Sequence, residues 1–328
     1  MASSSKKAVV AAIIGNFAIA VTKFLAAATT GSSAMLAEGI HSLVDTGNQA
    51  LMLVGLARAK KPADSRHPFG YGAEVYFWAF IVAVLIFAVG SGVSLYEGVV
   101  KIRHPHPIEQ AWINYVVLTL AFVFEAGAWW LAWKAFSERR GTRGLFHAMR
   151  ISKDPTVFTV LLEDTAAMAG IIVAFVGILL ADITGLLWLD GLATLLIGVI
   201  LALVAVFLAY ETKGLLIGEA ASPETVKGLR KIVRATDGVL KLYEMRTVHF
   251  GPNDILVAIS VDFEDRLDSR AVEKAVTRME AEILEAYPRV ERVFIEAQAP
   301  RDRTALRKAM KEAAEEKKAE GEKAQGKG

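Results

Sequence analysis

The sequence predicts a multi-pass α-helical membrane protein with six transmembrane helices, followed by a small α+β cytosolic domain of order αββαβ. Three observations carry this reading. The chain of 328 residues is 54% hydrophobic with a mean hydropathy of +0.39, whereas soluble domains average roughly 45–50% apolar residues. The apolar excess is concentrated in the first two thirds, where six segments reach the ~20 residues a membrane span requires. The last third alternates and turns like a soluble protein. The expected domains are therefore 1–213 in the membrane, 214–300 in the cytosol and a charged tail, 301–328, helical or disordered.

In chain order the six segments run Ala8–Thr30, Ser33–Leu56, Val75–Val100, Trp112–Phe136, Thr156–Ala181 and Leu187–Tyr210. The first is longer than the ~7–15-residue core of a signal peptide and reads as a retained helix. The second and fifth are interrupted by acids and are expected to score worst on hydropathy alone. The fourth holds one acid, Glu125. Basic residues flank one side: Lys6 and Lys7; Arg58, Lys60, Lys61 and Arg66; and Arg139, Arg140, Arg143, Arg150 and Lys153. The opposite turns, Thr29 to Ser33 and Ala181 to Gly185, carry no Lys or Arg, and Lys101 and Arg103 break the pattern. Positive loops stay inside, so both termini are expected in the cytosol of an integral membrane protein, with a bacterial inner membrane as the expected location.

Beyond Gly214, Pro223–Thr236 reads as a helix with Ser222 as N-cap. Leu242–Phe250 and Ile255–Phe263 alternate as strands around Gly251-Pro252-Asn253-Asp254. Asp268–Ala286 is helical and Val290–Ala297 is a third strand. This is a ferredoxin-like two-layer domain with its helices on one face of a short sheet.

Composition excludes several functions. The net charge is only +2 and no basic stripe stands out, so nucleic acid is not an expected partner. There are no cysteines, which removes disulfides and thiolate ligation. A metal site must be built from His, Asp, Glu, Asn or backbone oxygen.

The second segment supplies such residues. His41 and Asp45 are four apart and share a helix face, so imidazole and carboxylate can grip one small cation. Glu38 and Asn48 lie three residues outside this pair, near the same face. A charge at mid-membrane costs ~2.5–3.5 kcal/mol on insertion scales, and intramembrane ionisable residues are functional by default. The plainer alternative is a structural hydrogen-bonded pair between helices. In the fifth segment Glu163 and Asp164 are adjacent, about 100° apart on a helix, so one is expected to face the second helix. Convergence of His41, Asp45 and one or both of these acids supplies three or four N/O ligands. That set suits tetrahedral zinc, and with added water it accepts cobalt, iron or manganese.

Further residues are weaker candidates. Asp64 and His67, in a polar cytosolic loop, could bind metal at the entrance or be plain surface. His104 and His106 read as an outside loop, and His249 reads as structural. Lys23 is expected to snorkel to an interface, and Asp190 to cap or orient the sixth helix. Gly90, Gly92 and Gly98 permit close helix contact within or between subunits.

These stretches together resemble the cation diffusion facilitators, which include the ZnT-type zinc transporters. The likeness rests on Leu36–Asn48 with its His-x-x-x-Asp core, on Asp64–Gly72, on Leu95–Pro107 and on Glu163-Asp164. It covers nearly the whole chain except the tail. The wording Glu38-Gly39-Ile40-His41-Ser42 with Asn48-Gln49 is closest to a branch that includes a mitochondrial animal member and many bacterial proteins. The resemblance implies a homodimer in membrane lipid that exchanges a cytosolic divalent cation for protons, with Zn2+ as substrate and no cofactor. It places the transport site on His41, Asp45 and Asp164. Typical zinc carriers have His or Asp four residues before the fifth-helix Asp, where this chain has Val160, and Glu163 is the nearest substitute. The alternative cargoes are Mn2+, Fe2+ and Co2+. The family's histidine-rich cytosolic metal site is expected to be weak or missing, because the domain offers only His249, with Ser260 and Glu296 nearby. Tyr71 stands where the family commonly has His in the loop.

Two other classes compete. A metal-sensing membrane protein would bind without flux. An intramembrane enzyme would need a nucleophile or base, and neither His-Glu-x-x-His nor Gly-x-Ser-x-Gly is present. A secondary active transporter, not an enzyme, is the expected class.

Overall fold

A computed structural model describes residues 2–140, 144, 148–149 and 153–298. Arg143, Arg150 and the tail 301–328 lie outside the described residues. The described residues fall into two compact units, 2–219 with His249–Asp254, and Ala220–Val248 with 255–298.

The first unit is built from six long helices: α1 Ala2–Thr30, α2 Ser33–Ala59, α3 Glu74–Arg103, α4 Ala111–Arg140, α5 Pro155–Thr184 and α6 Trp188–Ile217. Each sits where the sequence expects one and runs longer at one or both ends. Several ends carry identifiable caps. Ser32 accepts from the amide of Met35 to start α2, and Asp154 caps α5 ahead of Pro155. Gly185 closes α5 in the left-handed region at φ 72°. One feature of α3 was not expected. It is α-helical over Glu74–Leu85 and Gly92–Arg103, with a π-helical turn, Ile86–Ser91, between them. Such turns occur singly within α-helices.

The bundle is apolar on its outside, and its largely apolar core also encloses polar side chains. On α6 the exposed residues Leu196, Val199, Leu203, Val206 and Tyr210 recur every three or four positions, one stripe of the helix. On α4 Trp112, Val116, Leu120, Val123 and Leu131 are likewise exposed. Meanwhile Lys23, Glu38, His41, Asn48, Thr159 and Asp190 are all no more than 1% exposed. An outer surface this apolar is stable against hydrocarbon, and the enclosed polar groups are shielded from it. Five helices, α1 and α3–α6, are long and apolar enough to cross a membrane. α2 does not meet that test, because Glu38, His41 and Asp45 lower its hydropathy, as expected. α5 passes despite Glu163 and Asp164, contrary to expectation, since the two acids are embedded in an otherwise apolar run.

α2 packs against α1, α3, α5 and α6. The α3–α6 contact is close because glycines meet across it. A Cβ at Gly98 would lie 2.8 Å from the Leu195 amide, and one at Gly191 would lie 2.9 Å from that of Ile102. Gly98 of α3 thus serves packing within one chain.

The second unit has the expected order: α7 Pro223–Ala235, β1 Val239–Gly251, β2 Asp254–Phe263, α8 Ser269–Ala286 and β3 Val290–Ala297. The sheet runs β1-β2-β3, with β3 parallel to β2 and Ile259 opposite Ile295. Leu229 and Val233 of α7, Met279 and Ile283 of α8, and Val257, Ile259 and Val261 of β2 form one buried cluster. Ser222 caps α7 and Asp268 caps α8. His249 is buried with Nδ1 3.1 Å from the Gly251 carbonyl, a structural role as expected.

Candidate metal centre

The centre is built outward from α2. Four-residue spacing puts His41 and Asp45 on the face turned into the bundle, with His41 Nε2 3.5 Å from Asp45 Oδ2. This is too long for a hydrogen bond. His41 Nδ1, His41 Nε2 and Asp45 Oδ1 are buried with no hydrogen-bond partner. One turn toward the α2–α3 loop, Asn48 donates from Nδ2 to Glu163 Oε1 at 2.8 Å, while its own Oδ1 is buried and unpartnered. Glu163 is therefore the α5 acid that faces α2. Asp164 is also buried and lies within electrostatic range of Asp45 and of Glu125 on α4.

Two further buried polar groups lie on the neighbouring helices and were not among the expected members. Thr159, one turn before Glu163 on α5, is fully buried with its hydroxyl oxygen unpartnered. Glu125, 6% exposed, lies within electrostatic range of Asp45, His41 and Glu38. The four-residue spacing from Thr159 to Glu163 could have flagged the first. The lone acid in the fourth apolar segment was the only signal for the second.

Lys23 departs from expectation. It does not snorkel. It is 0% exposed, and its Nζ donates to Glu38 Oε2 and Ser42 Oγ, both at 2.9 Å. The partner carboxylate lies across the α1–α2 turn, so no route to an interface is needed. Asp190 likewise serves another helix. From the first turn of α6 it accepts from the Ser33 and Ala34 amides at 2.9 and 3.2 Å, and from Ser32 Oγ at 2.7 Å. It therefore caps α2, whose free amides carry the positive end of the helix dipole. Lys101 Nζ stands 3.6 Å from Asp190 and donates to the Gly31 carbonyl.

Among the described residues no three His, Asp or Glu side chains stand close enough to hold a metal ion in this conformation. Glu163 is drawn to Asn48 and Glu38 to Lys23, which leaves His41 and Asp45 as the formed pair. In the loop between α2 and α3, Asp64 Oδ1 accepts from the Arg66 and His67 amides, and Oδ2 accepts from Tyr71 Oη at 2.7 Å. His67 Nδ1 is 3.6 Å from Asp64. The Tyr71 hydroxyl, and after it the His67 amide, hold the Asp64 carboxyl below the usual carboxylate range. Asp64 is thus engaged in ordering its own turn.

A model of the cation efflux transmembrane domain matches residues 9–217. The chain belongs to the cation efflux family. The matched stretch contains every residue of the centre, from Lys23 on α1 to Asp164 on α5. The human mitochondrial proton-coupled zinc antiporter SLC30A9 is 33% identical over 267 residues, which cover 81% of this chain and 47% of that protein. Metal tolerance protein C4 of Arabidopsis thaliana is 30% identical over 265 residues, covering 80% of this chain and 58% of that one. This cation efflux chain thus spans about half the length of these curated relatives. Among solved structures, MamM-CTD 215-293 is 14% identical with a TM-score of 0.22, covering 23% of this chain and 95% of that one.

Proposed function

We propose that this protein is a secondary active transporter, not an enzyme, that moves a divalent metal ion, zinc, out of the cytosol in exchange for protons. The observation that carries the reading is a set of unpartnered polar atoms deep in an apolar bundle: both nitrogens of His41, Asp45 Oδ1, Asn48 Oδ1 and Thr159 Oγ1. Each unsatisfied buried group costs about 1–3 kcal/mol. A fold keeps several together where a ligand supplies the missing interactions.

His41, Asp45, Asp164 and Glu163 are the proposed transport ligands, with Asn48 orienting Glu163 and Glu38 adjoining. Asp64 and His67 lie at the entrance. All six long helices span the membrane, α2 included. Its 27 residues extend about 40 Å at 1.5 Å per residue, and its polar face is covered by neighbouring helices. Both termini lie in the cytosol, on the side of the basic loops. The membrane is a bacterial inner membrane, by likeness to bacterial members of the branch, or its mitochondrial counterpart, by the name of the human relative. The working unit is a homodimer. Residues 1–213 form the membrane domain and 214–300 the cytosolic one. Zinc ligation requires deprotonated donors, so binding releases protons and protons compete for the site, which is the elementary basis of antiport.

A second cargo reading has its own observation. The proposed set has one nitrogen donor and several oxygens, with Val160 where a further ligand is usual. Oxygen-rich sets suit manganese, and a nitrogen-and-carboxylate site accepts iron or cobalt. The test uses proteoliposomes with a pH gradient and an internal metal indicator, comparing wild type with Asp45→Ala and Asp164→Ala. Gradient-dependent zinc flux that is lost in both variants supports the reading. Manganese or iron flux in place of zinc changes the cargo. No flux of any metal from intact dimers refutes transport and favours a sensor.

A further inference from the structure

The least expected group in the bundle is Lys23. It is 0% exposed, it belongs to α1, and it meets Glu38, also 0% exposed, and Ser42 of α2. Glu38 and Ser42 bracket His41, so the ammonium sits within a turn of the formed metal pair. It is within electrostatic range of His41, Asp45 and Glu125. The second oxygen of Glu38, Oε1, is buried and unpartnered. It faces Gly170 on α5, where an added Cβ would lie 2.3 Å from it. The Glu38 carboxylate is thus held between three helices, with one oxygen on a cation and the other free.

Position along α2 gives this pair a direction. Asn48 and Asp45 lie toward the end of α2 that carries Arg58 and leads into the basic loop, while Glu38 lies toward Ser33 at the opposite end. An ion travelling from the basic-loop side meets Asn48 and Glu163, then Asp45 and His41, and only then Glu38. At that point the next carboxylate is already occupied by a tethered ammonium. Replacing a buried ion pair by apolar side chains is often neutral or stabilising. Packing alone therefore does not explain why a charge pair is kept inside a hydrocarbon environment.

We propose that Lys23 is a built-in counter-cation of the metal centre, a positioning residue that occupies Glu38 and bars a cation from leaving past His41 until the pair separates. The inference rests on the transport reading for its consequence and on the ion pair itself for its structure. Removing the ammonium frees Glu38 to hold the metal ion, so binding tightens while release slows. Removing the carboxylate leaves a bare buried cation beside the site, so binding weakens.

The test measures zinc binding by competition with a fluorescent chelator, and zinc flux in proteoliposomes, on the full-length protein. Lys23→Met is expected to bind zinc at least threefold more tightly and to transport at least tenfold more slowly. Glu38→Gln is expected to lose tenfold or more in both. The double variant, neutral at both positions, is expected to return within threefold of wild type in both. A Lys23→Met flux within threefold of wild type overturns the proposal, as does a double variant no better than its worse parent. If Lys23→Met does not fold, Lys23→Arg decides. Binding within threefold of wild type, against a tenfold loss in Glu38→Gln, upholds the counter-cation, and equal binding in the two overturns it. If the wild type moves no zinc, the transport reading fails on its own. The opposite binding shifts of the single variants then still uphold the pair, and their absence overturns it.

Discussion

Replacing Asp190 by alanine tests the packing logic of the membrane domain without touching the metal centre. The carboxylate accepts from Ser32 Oγ at 2.7 Å, the Ser33 amide at 2.9 Å, Ser33 Oγ at 3.0 Å and the Ala34 amide at 3.2 Å, and it pairs with Lys101 at 3.6 Å. It is 0% exposed, and Lys101 is 2% exposed. Truncation strands two amides at the start of α2, each costing about 1–3 kcal/mol when buried. It also removes the counter-charge of a buried ammonium, and breaking such a pair costs about 3–5 kcal/mol. Lys101 keeps the Gly31 carbonyl and His106 as partners, so the low end of the combined range applies, about 5 kcal/mol in all. For a domain of roughly 200 residues each kcal/mol lowers Tm by about 2–4 °C, so the expected fall is on the order of 10 °C. Thermal unfolding of the purified protein in detergent measures it. Asp190→Asn, which keeps one accepting oxygen, should fall about half as far. A change of less than about 2 °C in Asp190→Ala would refute the claim that Asp190 ties α2, α3 and α6 together.

Other outcomes follow from the same structure. Gly170→Ala places a methyl 2.3 Å from Glu38 Oε1, an overpacking expected to cost about 1–3 kcal/mol, and a thermal melt unchanged from wild type would contradict it. Tyr71→Phe removes the largest cause of the lowered Asp64 titration, so its midpoint should rise toward the ordinary ~3.9 in a carboxyl NMR titration. Because the folded value is depressed, ordering of that turn is present above the ordinary value and is lost as pH falls through the folded one. Ser222→Ala removes the acceptor for the Thr225 amide, and loss of such a cap costs about 1 kcal/mol. Amide exchange should quicken in the first turn of α7 and leave α8 unchanged.

What was legible in the sequence was whatever depends on local spacing. His41 and Asp45 are paired because four residues make one turn, and the strand Val290–Ala297 has the bounds read from the sequence. What was not legible depends on which helix lies opposite. Lys23 is fifteen residues from Glu38 and reads as a snorkelling lysine until α1 and α2 are packed together. Asp190 sits in the first turn of α6, where a cap for that helix is the local expectation, yet it caps a helix 157 residues away. Glu163 and Asp164 are equivalent on a helical wheel drawn without neighbours, and the Asn48 side chain distinguishes them. The π-helical turn within α3 has no proline to mark it and is invisible in an uninterrupted apolar run.

The helix that carries the centre is also the one that fails the composition test for a membrane span, and the two facts have one cause. Hydropathy sums over all faces of a helix, whereas insertion cost depends on which faces meet lipid. α2 touches α1, α3, α5 and α6, so its Glu38, His41, Asp45 and Asn48 face protein, and each lies against a polar group from α1 or α5 or a neighbour one turn away. The same enclosure that shields these groups from lipid leaves both His41 nitrogens, Asp45 Oδ1 and Asn48 Oδ1 without a hydrogen-bond partner. A helix of this composition on the outside of the bundle would be neither stable there nor useful, since its carboxylates would be solvated by headgroups and would compete poorly for a metal. The shortfall in apolar residues along α2 therefore reflects how much of that helix faces protein rather than lipid.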